Sequence, residues 1–286
     1  MAASEPQRRR IVGLSTKMYF SLARQAEFTS AALTSLAAVS SASLSAVDVF
    51  IIPDFLNIRP TADSLAAAGA SHIWVGAQDC HWDDYGAFTG EVSPAALADS
   101  GVRIVEVGHA ERRRLFGEDD AVTAKKAAAV ARNGMVPLVC IGEKTKGDVA
   151  VAVEECRVQV DAVMAGLPSE DAEVVLAYEP VWAIGAAQPA GEEHVLAVVA
   201  GIRDLESVKG RRGLTRVVYG GSAGPGLYDK LKSGLDGLFL GGLGMILSSL
   251  PRRSRRWPRR EEEDRDWAYL EQIGQVASLI NCLIDL

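Results

Sequence analysis

Short apolar runs alternate with longer amphipathic stretches along most of this chain. Eight of the runs are rich in Val, Ile and Leu and short enough to be buried strands; they lie at residues 11–18, 47–53, 72–79, 104–109, 135–142, 174–179, 216–222 and 237–242. Between them, Ala, Val, Glu and Lys recur at helical spacing, as at 119–133 and 149–166. This alternation predicts βα units around a parallel sheet, and eight units predict a closed (β/α)8 barrel, an α/β fold.

The same pattern predicts the domain organisation. Residues 1–10, which include three consecutive arginines, are expected to be a flexible N-terminus, and residues 11–250 a single barrel domain. An Arg/Pro-rich block and then a Glu-rich block follow at 251–265, and we interpret them as an irregular exposed insertion because two prolines disfavour a continuous helix. Apolar residues return at near-helical spacing in 266–286, which predicts a C-terminal helix that completes or packs on the barrel.

Composition and charge narrow the class of protein. The chain is 48% hydrophobic and 23% charged, which is typical of a globular domain, and its net charge of −7 argues against nucleic-acid binding. No apolar run approaches the roughly 20 residues of a membrane helix, and no signal-peptide core follows the arginines. Four scattered cysteines without CxxC spacing indicate neither a zinc site nor a disulfide framework. We expect a soluble cytoplasmic protein with no nucleic-acid or membrane partner.

The ends of the predicted strands carry the candidate catalytic groups. Carboxyl ends of barrel strands converge on one mouth, where barrel enzymes have their active sites. Lys17 ends the first strand, His109 ends the fourth with Glu111 just beyond it, and Glu179 ends the sixth. A carboxylate can remove a proton beside a carbonyl, while a neutral imidazole and an ammonium stabilise the enediolate that forms. These groups together predict an isomerase.

Glycines near the same mouth suggest the kind of substrate. The seventh and eighth strands end in the turns 220–222 and 241–242, whose backbone N–H groups are suited to phosphate oxygens. After Glu179, the segment 180–185 contains a proline, a tryptophan and a terminal glycine, which is typical of a closing lid. The predicted reaction is therefore aldose–ketose isomerisation of a small phosphorylated compound.

Five groups of residues, in this order, resemble those of the triosephosphate isomerase family. They are 76–80, 86–91, 107–113, 178–185 and the glycine turns at 219–222 and 240–242. The resemblance covers nearly all of residues 11–245 and implies a TIM barrel. It implies that Glu179 is the base, His109 the electrophile and Lys17 the electrostatic anchor, and that Glu111 shares proton transfer or orients Lys17.

The resemblance also implies binding residues and a partner. Substrate and phosphate would be bound by Ser15, Gly185, Ser222, Gly241 and Gly242. The family is homodimeric, so Phe88 and Thr89 would lie in a loop that reaches the neighbouring subunit, where Thr89 completes the partner's site. No metal or organic cofactor is implied.

Two departures from the family pattern leave the substrate open. The family has Asn-x-Lys-x-Asn at the first strand, whereas this chain has Ser15 and Tyr19 around Lys17, and Ala186-Ala187-Gln188 replaces Thr-Gly-Lys in the lid. The motifs favour interconversion of glyceraldehyde 3-phosphate and dihydroxyacetone phosphate, a step of glycolysis and gluconeogenesis. One alternative is an isomerase of a four-carbon ketose phosphate of the erythrulose-phosphate type. Another is a non-catalytic binding protein on the same barrel.

Overall fold

Eight parallel strands form the centre of the fold in a computed structural model that describes residues 9–184, 190–221 and 226–241. They pair in chain order, and β1 also pairs with β8, which closes the barrel. The strands are β1 Arg10–Ser15, β2 Val47–Ile52, β3 Ile73–Ala77, β4 Val102–Val107, β5 Val136–Ile141, β6 Val174–Tyr178, β7 Thr215–Tyr219 and β8 Gly237–Gly241. The predicted (β/α)8 barrel is confirmed.

Helices connect the strands and pack around them. They are α1 Leu22–Ala37, α2 Ser41–Ala46, α3 Ile58–Ala67, α4 Pro94–Asp99, α5 Ala110–Phe116, α6 Asp120–Arg132, α7 Val149–Gly166, α8 Glu192–Arg203, α9 Glu206–Lys209 and α10 Leu227–Leu231, with 3₁₀ turns at Phe55–Asn57 and Val181–Ala183. Acidic N-caps start the two helices that the sequence predicted: Asp119 accepts from the N–H of Val122, and Asp148 from that of Ala150. Within the described residues, no helix combines the length and apolar character needed to cross a membrane.

Alternate residues of each strand face either the barrel axis or the helices. The axis is filled by the buried side chains of Ile11, Phe50, Ile52, Trp74, Ile104, Leu138, Cys140, Val175, Ala177, Val218 and Phe239. Gly13 leaves the space that the Phe50 ring occupies, because a Cβ at Gly13 would lie 2.3 Å from that ring. The outward strand faces pack against the helices in a second, larger core.

A buried ion cluster fills the N-terminal end of the barrel. Arg216, the second residue of β7, is fully buried and lies with its guanidinium 5.5 Å from the centre of the Trp74 ring. One guanidinium nitrogen lies 2.6 Å from Asp48 of β2, and another contacts Glu173, just before β6. The buried cation is therefore paired with two carboxylates, and this end of the barrel is packed.

The carboxyl ends of the strands form the opposite mouth. Ser15 ends β1 in register with Ile52 of β2 and Gly241 of β8. The predicted first strand, 11–18, extends too far, because Lys17 has a left-handed φ of 47° and cannot continue a strand. The insertion predicted at 251–265 and the C-terminal helix predicted at 266–286 lie outside the described residues.

Candidate active site

Lys17 lies just beyond β1 in a conformation that is rare for a residue with a side chain. Its φ of 47° is left-handed, a geometry that occurs disproportionately at functional sites. Two contacts hold the turn: Gln78 donates from Nε2 to the Lys17 carbonyl at 2.8 Å, and the Lys17 N–H donates to Ser15 Oγ at 3.4 Å. The backbone strain thus fixes the direction in which the lysine side chain leaves the barrel rim.

The Lys17 ammonium is paired with Glu111 across the mouth. Nζ lies 2.8 Å from Glu111 Oε1. Burial alone would lower the pKa of Lys17, but the hydrogen bond and charge of Glu111, with the charges of Glu106 and Glu179, raise it. Lys17 therefore stays charged near neutral pH, and Glu111 is placed to orient it.

His109 is held as a neutral imidazole between β4 and α5. Its Nδ1 accepts the backbone N–H of Glu111 at 3.1 Å, which assigns the ring proton to Nε2. Burial and, next, the charge of Lys17 lower the pKa of His109 to about 4. Nε2 lies 3.6 Å from Glu179 Oε2, so its N–H points into the space beside that carboxylate.

Glu179 follows β6 and is buried at the floor of the mouth. Its N–H donates to the carbonyl of Ile141 at 2.8 Å. The carboxyl group rests against the backbone of Gly220, where a Cβ would lie 2.4 Å from Oε1. Burial, and then the charge of Glu106, raise the pKa of Glu179 well above its usual range, while Lys17 opposes the shift. A carboxylate of this kind is a stronger base than one in water.

Glu106 is a second buried carboxyl group, which the sequence interpretation did not select. It lies two residues after Ile104 on β4, and residues two apart share one face of a strand. The Glu106 side chain therefore faces the barrel axis, as Ile104 does. Its Oε1 lies 3.9 Å from His109 Nε2 and 3.9 Å from Cys140 Sγ. The Ser15 hydroxyl is close enough to this carboxyl group to oppose the rise in its pKa. Glu106 and Ser15 are therefore neighbours, and Glu106 lies next to His109.

The environment of Glu106 favours its protonated form. Burial raises the pKa of Glu106 to about 8, against the opposing effects of the Lys17 charge and the Ser15 hydroxyl. The residue was missed because 104–109 reads as one apolar strand. The alternation of side chains along the strand could have revealed it, because it places Glu106 at an axis-facing position. A charged residue is unusual there in a barrel.

Glu143 anchors the start of the predicted lid and was also missed. Its Oε1 accepts from Trp182 Nε1 at 2.8 Å and from the Tyr178 hydroxyl at 3.2 Å, and lies 3.1 Å from His194 Nε2. These contacts fix the 3₁₀ turn Val181–Ala183 that follows the catalytic strand. The position of Glu143 just after β5, on the same rim, was the available signal.

The predicted phosphate-binding residues are only partly within the described chain. Gly241 ends β8 beside Ser15, and a Cβ there would meet no atom of the described residues within 4 Å. Gly185, Ser222 and Gly242 lie outside the described residues. The structure therefore places one of these four predicted phosphate-binding residues at the mouth.

Phe88 and Thr89 lie on an exposed loop between β3 and α4. The Phe88 ring packs on His81 with ring centres 4.2 Å apart, yet 41% of Phe88 remains exposed. This loop projects outward, unlike Lys17, His109, Glu111 and Glu179, which the structure brings together.

Comparisons with known proteins agree with this geometry. The family model described as triosephosphate isomerase matches residues 10–250. L-erythrulose-1-phosphate isomerase of Pectobacterium atrosepticum is 40% identical over 236 residues, which are 82% of this chain and 90% of that protein. The protein of the same name in Rhizobium etli is 42% identical over 202 residues, covering 68% and 74%. Triosephosphate isomerase of Mycobacteroides abscessus is 41% identical over 208 residues, covering 70% and 78%.

Proposed function

This chain belongs to the triosephosphate isomerase family and is an isomerase, and we propose that its substrate is L-erythrulose 1-phosphate rather than a triose phosphate. The two relatives from Pectobacterium and Rhizobium carry that name, which supports the four-carbon alternative better than the triose reaction that the motifs alone favoured. The observation that carries the chemistry is the 3.6 Å approach of His109 Nε2 to Glu179 Oε2 beside Lys17.

The first step is proton abstraction from carbon. In this substrate the carbonyl is at C2, the phosphate is on C1, and C3 bears a hydroxyl, a hydrogen and the C4 hydroxymethyl group. Glu179 takes the C3 proton, and the electrons of that C–H bond form a C2–C3 double bond. The former carbonyl oxygen becomes negative, where the Nε2–H of His109 donates to it and the Lys17 ammonium offsets its charge.

The second step returns the proton to the neighbouring carbon. A proton passes from the C3 oxygen to the C2 oxygen by way of the His109 imidazole, and protonated Glu179 then delivers its proton to C2. The carbonyl is now at C3. Numbered from the other end, the product is an erythrulose 4-phosphate, so the enzyme connects two ketoses. With a triose phosphate the same steps would connect an aldose and a ketose.

We propose that the enzyme works as a homodimer. Large apolar side chains are exposed on loops near the mouth: Met18 is 92% exposed, Tyr85 79% and Phe88 41%. Tyr85 and Phe88 lie on one loop, and exposed apolar groups close together are typical of an interface. In such a dimer Thr89 would complete the partner's site.

The test measures kcat/KM of the purified protein for L-erythrulose 1-phosphate and for glyceraldehyde 3-phosphate in parallel. We expect the four-carbon substrate to be preferred, and the Glu179→Gln variant to lose about 10³-fold or more in activity, because an amide cannot accept the proton. Preference for the triose would support the first interpretation of the motifs instead. A folded protein inactive on both would contradict the proposal.

A further inference from the structure

We infer that Glu106 and Ser15 form the subsite for the hydroxymethyl group of the four-carbon substrate and thereby determine the preference over triose phosphates. This inference rests on the proposed function. The two substrates differ at one place: C3 of the tetrulose bears a hydroxymethyl group, and the corresponding carbon of the triose bears a hydrogen in its place.

The catalytic geometry restricts where that group lies. The reacting carbons must lie beside Glu179 Oε2 and His109 Nε2, which are 3.6 Å apart. The phosphate would lie at the rim, above the level where Gly241 ends β8 in register with Ser15; the Ser15 side chain shares the parity of Ile11 and faces the axis. The hydroxymethyl group is at the opposite end of the substrate, so it points down the barrel axis. The Glu106 carboxyl is there, 3.9 Å from the same His109 nitrogen.

The chemistry of the two side chains fits a primary hydroxyl. A hydroxyl needs one acceptor and one donor, and a protonated carboxyl group supplies both, as does the Ser15 hydroxyl. Burial raises the pKa of Glu106 to about 8, which favours the protonated form that supplies both a donor and an acceptor.

The surroundings make a purely structural role for Glu106 costly. Ile104 lies below Glu106 on the same strand, and Cys140 lies beside it. A carboxyl group buried there is destabilising unless its hydrogen bonds are satisfied, and the polar neighbours described for it are the Ser15 hydroxyl and the Cys140 thiol, a weak donor at 3.9 Å. A substrate hydroxyl would add a further partner. A triose phosphate would leave it without that partner, which is how a polar pocket rejects the smaller substrate.

The experiment compares substrate preference, defined as kcat/KM for L-erythrulose 1-phosphate divided by kcat/KM for glyceraldehyde 3-phosphate. We expect Glu106→Val to lower this ratio about 10²-fold, since it removes the donor and acceptor but fills the axis with an apolar group. The matched Glu106→Gln variant keeps one donor and one acceptor and should retain most of the ratio. Ser15→Ala should lower the ratio in the same direction by a smaller factor.

The outcomes separate the two claims. A wild-type protein that does not turn over L-erythrulose 1-phosphate contradicts the proposed function itself. A wild type that prefers it, with a Glu106→Val variant of unchanged ratio, contradicts only the subsite. Equal losses on both substrates would also contradict the subsite, because they indicate a general effect on the barrel. Thermal unfolding of each variant checks its fold, and Ser15→Ala provides the test if Glu106→Val does not fold.

Discussion

At the scale of single residues, the protonation of Glu106 makes the stability of the folded protein depend on pH. Because burial raises the pKa of Glu106 from 4.5 to about 8, the folded protein keeps this proton while the unfolded chain loses it. The stabilisation that results from this raised pKa is fully present below pH 4.5 and is lost as pH rises to about 8. Within that window it falls by roughly 1.4 kcal/mol per pH unit. The free energy of unfolding of the wild type, relative to that of Glu106→Gln, should therefore decrease between pH 5 and 8.

Urea unfolding at a series of pH values measures this difference. Parallel stability curves for the two proteins would show that Glu106 is ionised in the folded state at neutral pH.

Only part of the active site could be predicted from the sequence. Lys17, His109 and Glu179 are recognisable because they follow strands, whereas Glu106 lies inside one, where its direction depends on the strand register.

At the scale of elements, the contact of Glu143 with the lid base sets the next prediction. Glu143 Oε1 accepts hydrogen bonds from Tyr178 and Trp182 and lies beside His194 Nε2. Its Oε2 has no partner within the described residues. In Glu143→Gln the oxygen can replace Oε1, but the amide N–H2 is then buried without an acceptor. We expect a loss of roughly 1–3 kcal/mol in unfolding free energy, seen as a lower Tm. The exposed Glu154→Gln on α7 is the control, and an equal Tm shift in both variants would contradict the argument.

The elements themselves were largely predictable, because strands buried on both faces read as continuous apolar runs. Helix α7 has the predicted bounds, and α6 differs only at its ends. Strand ends were less predictable: β1 stops at Ser15 because of the Lys17 backbone, and β7 stops at Tyr219, where Gly220 makes room for Glu179. Both ends are set by the site rather than by hydrophobic pattern.

At the scale of the whole molecule, the exposed loop residues predict self-association. Phe88→Glu places a charge in the proposed interface, and we expect it to yield single chains at micromolar concentration with reduced kcat/KM. Val158→Glu, on the half-exposed outer face of α7, should leave the mass of the wild type unchanged. Sedimentation equilibrium measures both. A wild-type mass of about 30.4 kDa, that of one chain, would contradict the dimer.

The packed end of the barrel has a consequence for how substrate enters the site and how product leaves it. Arg216, Asp48 and Trp74 close the side opposite the site, and Phe50 and Phe239 fill the axis between, with ring centres 5.7 Å apart. Among the described residues, the site therefore opens only at the mouth formed by the carboxyl ends of the strands. A new substrate molecule cannot enter until the previous product has left by the same route. The product should therefore behave as a competitive inhibitor. Net conversion runs forward only while the ratio of product to substrate in solution lies below the equilibrium constant.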